Sequence, residues 1–260
     1  MVELPLGAMD PRKVAIVTGA TRGLGRRVSQ GLVEQGFTVA AVARSADPPG
    51  IGEELYRAFD TGDADSVDRF VSEVLERFGR VDLLVNNAGF ANRSTPIAET
   101  ADTVVRQCFE TNVFGPAAFM KRVLPVMAHQ PEGGVVVNVA SRAGITPVPG
   151  LAGYSASKSA LIALTLAAAK EYPGGRVFCV ALCPAGMNTA MRVEVYGAED
   201  AARQMDPARS ADLVLELATR RTANGAPVAS GSAVVLDGAG EPTVLAWPTD
   251  SRGHQSVRFS

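Results

Sequence analysis

The chain has 260 residues, 47% of them apolar, and a formal net charge of −2, which suffices for one large α/β domain with a sizeable core. The charges are nearly balanced and form no block of one sign, so a nucleic-acid surface or a basic membrane face is excluded in favour of small-molecule chemistry. Two histidines, His129 and His254, leave little from which to build a zinc site or a histidine triad, and Cys108, Cys179 and Cys183 lack metal or redox spacing and read as reduced packing residues.

Residues 1–12 read as a flexible leader with no sustained apolar region, and no later run reaches bilayer length, so the expected location is the cytoplasm, with no membrane partner. Lys13 to Thr18 is a β-branched strand that breaks into Gly19-Ala-Thr-Arg-Gly23-Leu-Gly25. A helix follows from Leu24 to about Gln35 and closes at Gly36. Strand, glycine turn and helix in that order can hold a pyrophosphate on backbone N–H groups, because side chains at those glycines would block its approach. The glycines run G-x-x-x-G-x-G, not G-x-G-x-x-G, and the alternative is an ordinary turn.

A second buried strand, 37–43, ends in Arg44-Ser45. In dinucleotide folds an acid about twenty residues beyond the glycine loop bonds the ribose 2′-hydroxyl, whereas an arginine accommodates a 2′-phosphate. Arg44 stands there and Arg22 lies inside the loop, so the pair points to NADP(H) over NAD(H); each alone is equally a solvated surface arginine. Asp47, the nearest acid, comes three residues late. The chain then returns as a short strand to Phe59-Asp60. Asp60 either bonds the adenine amino group or serves as a cap or turn residue for a helix beginning near Asp63 and ending at Phe78-Gly79.

Asp82 to Val85 is a strand ending in Asn86-Asn87-Ala88-Gly89, which would line the crevice of an open sheet or simply form a turn. A helical region spans about 101–129 with a break at Gly115-Pro116. Asn112, just before it, either marks a kink that turns a carbonyl to a cavity or bonds locally. The run 135–139 is a central strand that leads to Ser141. Thirteen residues on, Tyr154 and Lys158 sit at i and i+4 on one face of a helix reaching about Glu171. A cation beside a phenol favours the phenolate and lowers a pKa near 10, though this spacing also arises by chance on solvated helices.

Strand 176–182 is broken by Cys183-Pro184; the pattern then weakens over 187–210 into a lid-like stretch, followed by a helix at 211–221 and a strand at 233–236. From Trp247 the chain turns polar, and little order is expected in 248–260. Strands and helices alternate without a linker or repeat, which predicts one doubly wound α/β domain over 13–247, a parallel sheet of about seven strands with helices on both faces.

Thr18-Gly-Ala-Thr-Arg-Gly-Leu-Gly25, Asn86-Asn-Ala-Gly89, Asn112, Ser141 and Tyr154-Ser-Ala-Ser-Lys158 stand in the order and spacing of the short-chain dehydrogenase/reductase family, which the chain resembles over roughly 13–240. The resemblance implies a single Rossmann domain and an oxidoreductase that interconverts a carbonyl and an alcohol with a nicotinamide cofactor, which Arg22 and Arg44 make NADP(H). Tyr154 would be general acid/base, Ser141 would hold the carbonyl oxygen, Lys158 would tune Tyr154 and bond the ribose, and Asn112 would keep a water in line. It also assigns cofactor contacts to Gly19, Thr21, Arg22, Gly23, Leu24, Asn87, Ala88, Gly89, Tyr154, Lys158, Pro184, Gly186, Met187 and Thr189, beside Arg44 and Asp60.

The chain departs from the family pattern at Pro184-Ala185, where Pro-Gly is usual, and at Met187. Its short lid is similar to that of compact-lid carbonyl reductases. Phe90, Phe114, Arg142, Met187 and Arg192 are expected to border a small-molecule pocket. Relatives assemble as dimers or tetramers, and some are monomers. Two other readings are a silent dinucleotide-binding sensor and a dinucleotide-dependent epimerase or dehydratase.

Overall fold

The β-branched and alanine-rich runs of the sequence become a single stack of strands. A computed structural model describes residues 12–220, 228–238 and 242–246. The expected leader, except Arg12, and the expected tail 248–260 lie outside the described residues. In chain order the elements are β1 (Val14–Thr18), α1 (Gly23–Glu34), β2 (Thr38–Ala43), β3 (Leu55–Ala58), α2 (Ala64–Phe78) and β4 (Leu83–Asn86). Then come α3 (Asp102–Phe109), α4 (Gly115–His129), β5 (Gly134–Val139), α5 (Ala152–Glu171) and β6 (Val177–Pro184). The described part closes with α6 (Ala190–Tyr196), α7 (Ala198–Ala202), α8 (Pro207–Leu217), β7 (Ser232–Leu236) and β8 (Thr243–Ala246).

The sheet order is β3-β2-β1-β4-β5-β6-β7-β8. Every neighbouring pair is parallel except β7 and β8, which run antiparallel with Ala233 opposite Leu245. The period-2 alternation of each strand divides its side chains between two cores. Ala15, Val17, Leu83, Val85 and Val137 pack with Leu24, Val28 and Leu32 of α1 and Leu213, Val214 and Leu217 of α8. Val14, Ile16, Leu84 and Val136 face the other way, onto Val67, Phe70 and Val74 of α2 and Phe119, Val123 and Met127 of α4. Full burial of one such side chain contributes about 1.5–3 kcal/mol, so these cores, with a third in which Leu161, Ile162 and Leu166 of α5 pack on Ala181, Ala233 and Val235, hold the sheet from both faces.

Four details differ from the sequence reading. An eighth strand, β8, adds to the expected seven, because the short Thr-Val-Leu-Ala segment folds back along β7 as an edge. The strand expected to break at Cys183-Pro184 continues through Pro184, which pairs with Leu236. The weakly patterned 187–210 stretch contains α6 and α7, and the following helix starts at Pro207 instead of Ala211, with the Asp206 carboxylate accepting from Ala208 N at 2.8 Å as its cap. Finally, the irregularity near Asn112 is a π-turn over 110–114, one turn before Gly115-Pro116, and those two residues open α4.

The chain runs outward from β1 to β3 and then returns beside β1 at β4. Loops that leave adjacent strands in opposite directions cannot close over the gap between them, so a crevice opens at the carboxyl ends of β1 and β4.

Candidate active site

Thr18 ends β1, and its Oγ1 accepts from the backbone N of Asn87 at 3.0 Å and of Ala88 at 2.9 Å. Asn87 Nδ2 donates back to the Thr18 carbonyl at 2.9 Å and the Gly19 carbonyl at 3.2 Å. The turns after β1 and β4 are thereby locked together. Gly19 adopts φ +68°, and a Cβ on it would lie 2.9 Å from Asn87 Nδ2, while a Cβ on Gly25 would run into the Gly19 carbonyl oxygen. Only glycine fits at these two positions. The result is a backbone cradle at the N-terminus of α1, where N–H groups and the helix dipole favour a phosphate.

A cavity of about 1090 Å³ runs from this cradle along the carboxyl edge of the sheet. Every residue that the sequence assigned to the cofactor lines it, as do Ser141, Tyr154 and Lys158. Asn112 does not line it; it is fully buried behind the cavity wall. Of the expected substrate-pocket residues, Arg142, Met187 and Arg192 line the cavity and Phe90 and Phe114 do not. Phe90 is held by its backbone to Asn112, and Phe114 projects outward from the π-turn, 53% exposed.

Ser141 follows β5 and caps a short 3₁₀ turn, its Oγ accepting from Ala143 N at 3.1 Å. It also stands near enough to the side chain of half-buried Tyr154, on the first turn of α5, to favour the phenolate. Lys158 lies one turn further, with Nζ 5.8 Å from the centre of the Tyr154 ring and donating to the Val139 carbonyl at 2.7 Å. Burial is the largest influence on Tyr154 and raises its phenol above the usual value, with Ser141 opposing. Burial likewise pushes the Lys158 ammonium down to about 8, against the opposing influence of Cys183 and Cys108. In the protein alone the lysine therefore does not depress the phenol as the spacing led one to expect. Both groups resist charge, and no acidic side chain is among the groups that shift either of them. Cys183 is itself pushed up to about 12 by burial and stays a neutral thiol.

Asp60 accepts from Gly62 N at 2.9 Å in a local turn, and Asp63 is the cap of α2, so the capping alternative for Asp60 goes to its neighbour. Arg22 pairs with Glu194 of α6 at 3.1 Å. Arg192 stacks on Tyr196 at 4.1 Å and pairs with Asp200, so its charge is already met within the lid. At the Pro184-Ala185 departure, the Ala185 N donates to the Leu236 carbonyl at 2.9 Å, and Gly186 is pressed against the Gln204 carboxamide, which a Cβ would overlap.

Residues 13–200 match the family model for short chain dehydrogenases. The chain belongs to that family. It is 33% identical over 217 residues to a 3beta-hydroxysteroid dehydrogenase of Mediterraneibacter gnavus, covering 78% of each chain. It is also 33% identical over 257 residues to the 2-(R)-hydroxypropyl-CoM dehydrogenase of Xanthobacter autotrophicus, covering 87% of this chain and 98% of that one. Among solved structures, the 3-ketoacyl-(acyl-carrier-protein) reductase of Brucella melitensis complexed with NADH superposes with a TM-score of 0.76 at 28% identity, over 87% of this chain and 97% of that one.

Membership makes the chain an oxidoreductase whose fold binds a nicotinamide dinucleotide, and the glycine cradle fits such a group. Among the described residues no helix is long and apolar enough to cross a membrane, and no group of three or more His, Cys, Asp or Glu is placed to hold a metal.

Three residues of this site have no label in the sequence reading. Thr18 ties the two crevice turns, Ser157 joins Asn112 to α5, and Gln204 fills the space over Gly186. Ser157 and Thr18 lie inside recognised motifs, but nothing in their spacing reveals the partner each finds across the fold. Gln204 lies in the stretch where periodicity fails.

Proposed function

We propose that this chain is an NADP(H)-dependent oxidoreductase of the cytoplasm that interconverts a ketone or aldehyde and the corresponding alcohol, with Tyr154 as general acid/base. The observation that carries this reading is the convergence of Ser141, Tyr154 and Lys158 on the cavity that the glycine cradle begins. When bound, the nicotinamide supplies the hydride for reduction or takes it in oxidation.

The protein's part is position and protons. The Tyr154 phenol, kept protonated by burial, gives its proton to the substrate oxygen, a contribution of about 10²–10⁴ in rate. The Ser141 hydroxyl, fixed by Ala143 N, bonds the same oxygen where negative charge develops. Lys158, its ammonium lowered to about 8 and therefore still mostly protonated at pH 7, is placed to restore the phenol proton and to meet the ribose hydroxyls. Asn112 grips both the N and the O of Phe90, at 2.9 and 2.8 Å, and so fixes the backbone just after Gly89.

Preference for NADP(H) is supported by Arg22 and Arg44, which both line the crevice, with Arg44 directly after β2 where an acid would select the unphosphorylated ribose. Beyond Tyr154 the wall is largely apolar, with Val148, Pro149, Leu151, Met191 and Val195. That wall favours a carbonyl carried on an apolar body, in line with the relative named for hydroxysteroids.

The test is NADPH oxidation by the purified protein with a panel running from apolar ring ketones to small hydrophilic ones, alongside Tyr154→Phe and Arg44→Asp. Turnover of the ring ketones, its loss in Tyr154→Phe with NADPH still bound, and selective weakening of NADPH in Arg44→Asp are expected. Dinucleotide binding without turnover of any ketone would favour a sensor, and full turnover by Tyr154→Phe would remove the tyrosine from the mechanism.

A further inference from the structure

The lid and the cofactor loop are joined by one ion pair and lie close beside it. Arg22, the residue that precedes α1, reaches across the crevice mouth so that its Nη1 lies 3.1 Å from Oε1 of Glu194 on α6, with side chains 57% and 59% exposed. Beside it Gly23 faces Thr189, the cap of α6; a Cβ on the glycine would come within 3.7 Å of the threonine methyl. Arg22 lines the cavity, so the guanidinium that pairs with the lid is also within the space a dinucleotide would share.

We propose that Glu194 is a specificity-determining residue of the cofactor site that acts through Arg22: the lid carboxylate and the 2′-phosphate of NADP(H) compete for one guanidinium. The proposal rests on the assignment of Arg22 to that phosphate. An exposed ion pair is weak and readily exchanged. A phosphate dianion offers more charge than a carboxylate and an equally good fork for the guanidinium, so it draws Arg22 away. NAD(H) presents no such phosphate, and with it Arg22 stays on Glu194. The lid carboxylate thus tempers the preference for the phosphorylated cofactor. It also makes the tie between α6 and the glycine loop depend on which dinucleotide is bound: released with NADP(H), kept with NAD(H).

The experiment measures dissociation constants for NADPH and NADH by fluorescence titration at low salt, in the unmodified protein, Glu194→Gln, Arg22→Ala and the double variant. Glu194→Gln is expected to tighten NADPH by about 2- to 5-fold, the size of one surface ion pair, and NADH by less than about 1.5-fold. Arg22→Ala is expected to weaken NADPH selectively, and Glu194→Gln added to it should leave the NADPH/NADH ratio where Arg22→Ala put it. If Arg22→Ala shifts the ratio but Glu194→Gln does not, the competition is wrong while Arg22 remains a phosphate ligand. If Arg22→Ala leaves the ratio unchanged, the assignment of Arg22 fails and takes the competition with it. Equal tightening of both dinucleotides by Glu194→Gln, or an effect that persists without Arg22, shows a general charge effect and also overturns the proposal.

Discussion

Asn112 and Ser157 are joined by a hydrogen bond from Nδ2 to Oγ of 2.9 Å, and the same hydroxyl donates to the Tyr154 carbonyl at 2.7 Å. Asn112 also holds the backbone of Phe90, so one buried side chain ties the π-turn, the segment after β4 and the first turn of α5. The position of Tyr154 relative to Gly89 is set through it.

Ser157→Ala should therefore loosen the site without removing any group that touches substrate. Removing a buried acceptor costs about 1–3 kcal/mol of stability, and a small misplacement of the phenol is expected to lower kcat by about tenfold, with KM changed much less. Steady-state kinetics with thermal denaturation checks this. Loss of stability with unchanged kcat would make Ser157 a packing residue only.

Replacing Lys158 should stabilise the fold while it ends turnover. Its ammonium is held at about 8 against an ordinary value of 10.5, so the folded state resists the charge below pH 8. Between these values the unfolded chain binds a proton that the folded chain has shed, and stability rises with pH. The burial cost near pH 7 is about 3 kcal/mol, offset by about 1 kcal/mol for the lost bond to Val139. Lys158→Met should thus gain roughly 1–2 kcal/mol at pH 7 and little at pH 10. Melting temperatures at the two pH values decide it, and a gain independent of pH would contradict the buried charge.

The pH dependence of the two directions should be opposite. Alcohol oxidation needs the tyrosine and lysine to have released a proton and is expected to rise through pH about 8, while carbonyl reduction falls over the same range. Initial rates with saturating cofactor in each direction measure this. A flat oxidation profile from pH 6 to 9 would exclude Lys158 from proton transfer.

Gly25→Ala should abolish the cradle. Its Cβ would overlap the Gly19 carbonyl oxygen and Asn87 Nδ2, the donor that joins the two crevice turns. Dinucleotide affinity is expected to fall by more than tenfold, with about 1–3 kcal/mol of stability lost to overpacking. Gly36→Ala is the control: its φ is +83° but nothing lies within 4 Å, so it costs about 1 kcal/mol and leaves binding intact. Equal binding by both variants would argue against the cradle.

The sequence by itself determined the order of strands and helices, the glycine cradle, and the alignment of Tyr154 and Lys158, because each of these is local: it follows from periodicity, from turn residues, or from a four-residue helical spacing. It also placed Ser141 and Arg44 at strand ends and Arg22 in the loop after β1, and in a parallel sheet strand ends share one edge. What only the tertiary structure decided is where side chains distant in the chain meet. Thr18 caps a turn 69 residues away, Asn112 finds Ser157 across 45 residues, and Arg22 meets Glu194 across 172. The lid helices over 190–202 and the edge strand β8 were hidden for a related reason: they are short and draw their form from the sheet edge and crevice they cover. The protonation of the central pair is tertiary as well. Spacing brings a phenol and an ammonium together, but burial, which depends on everything packed around them, raises one and lowers the other.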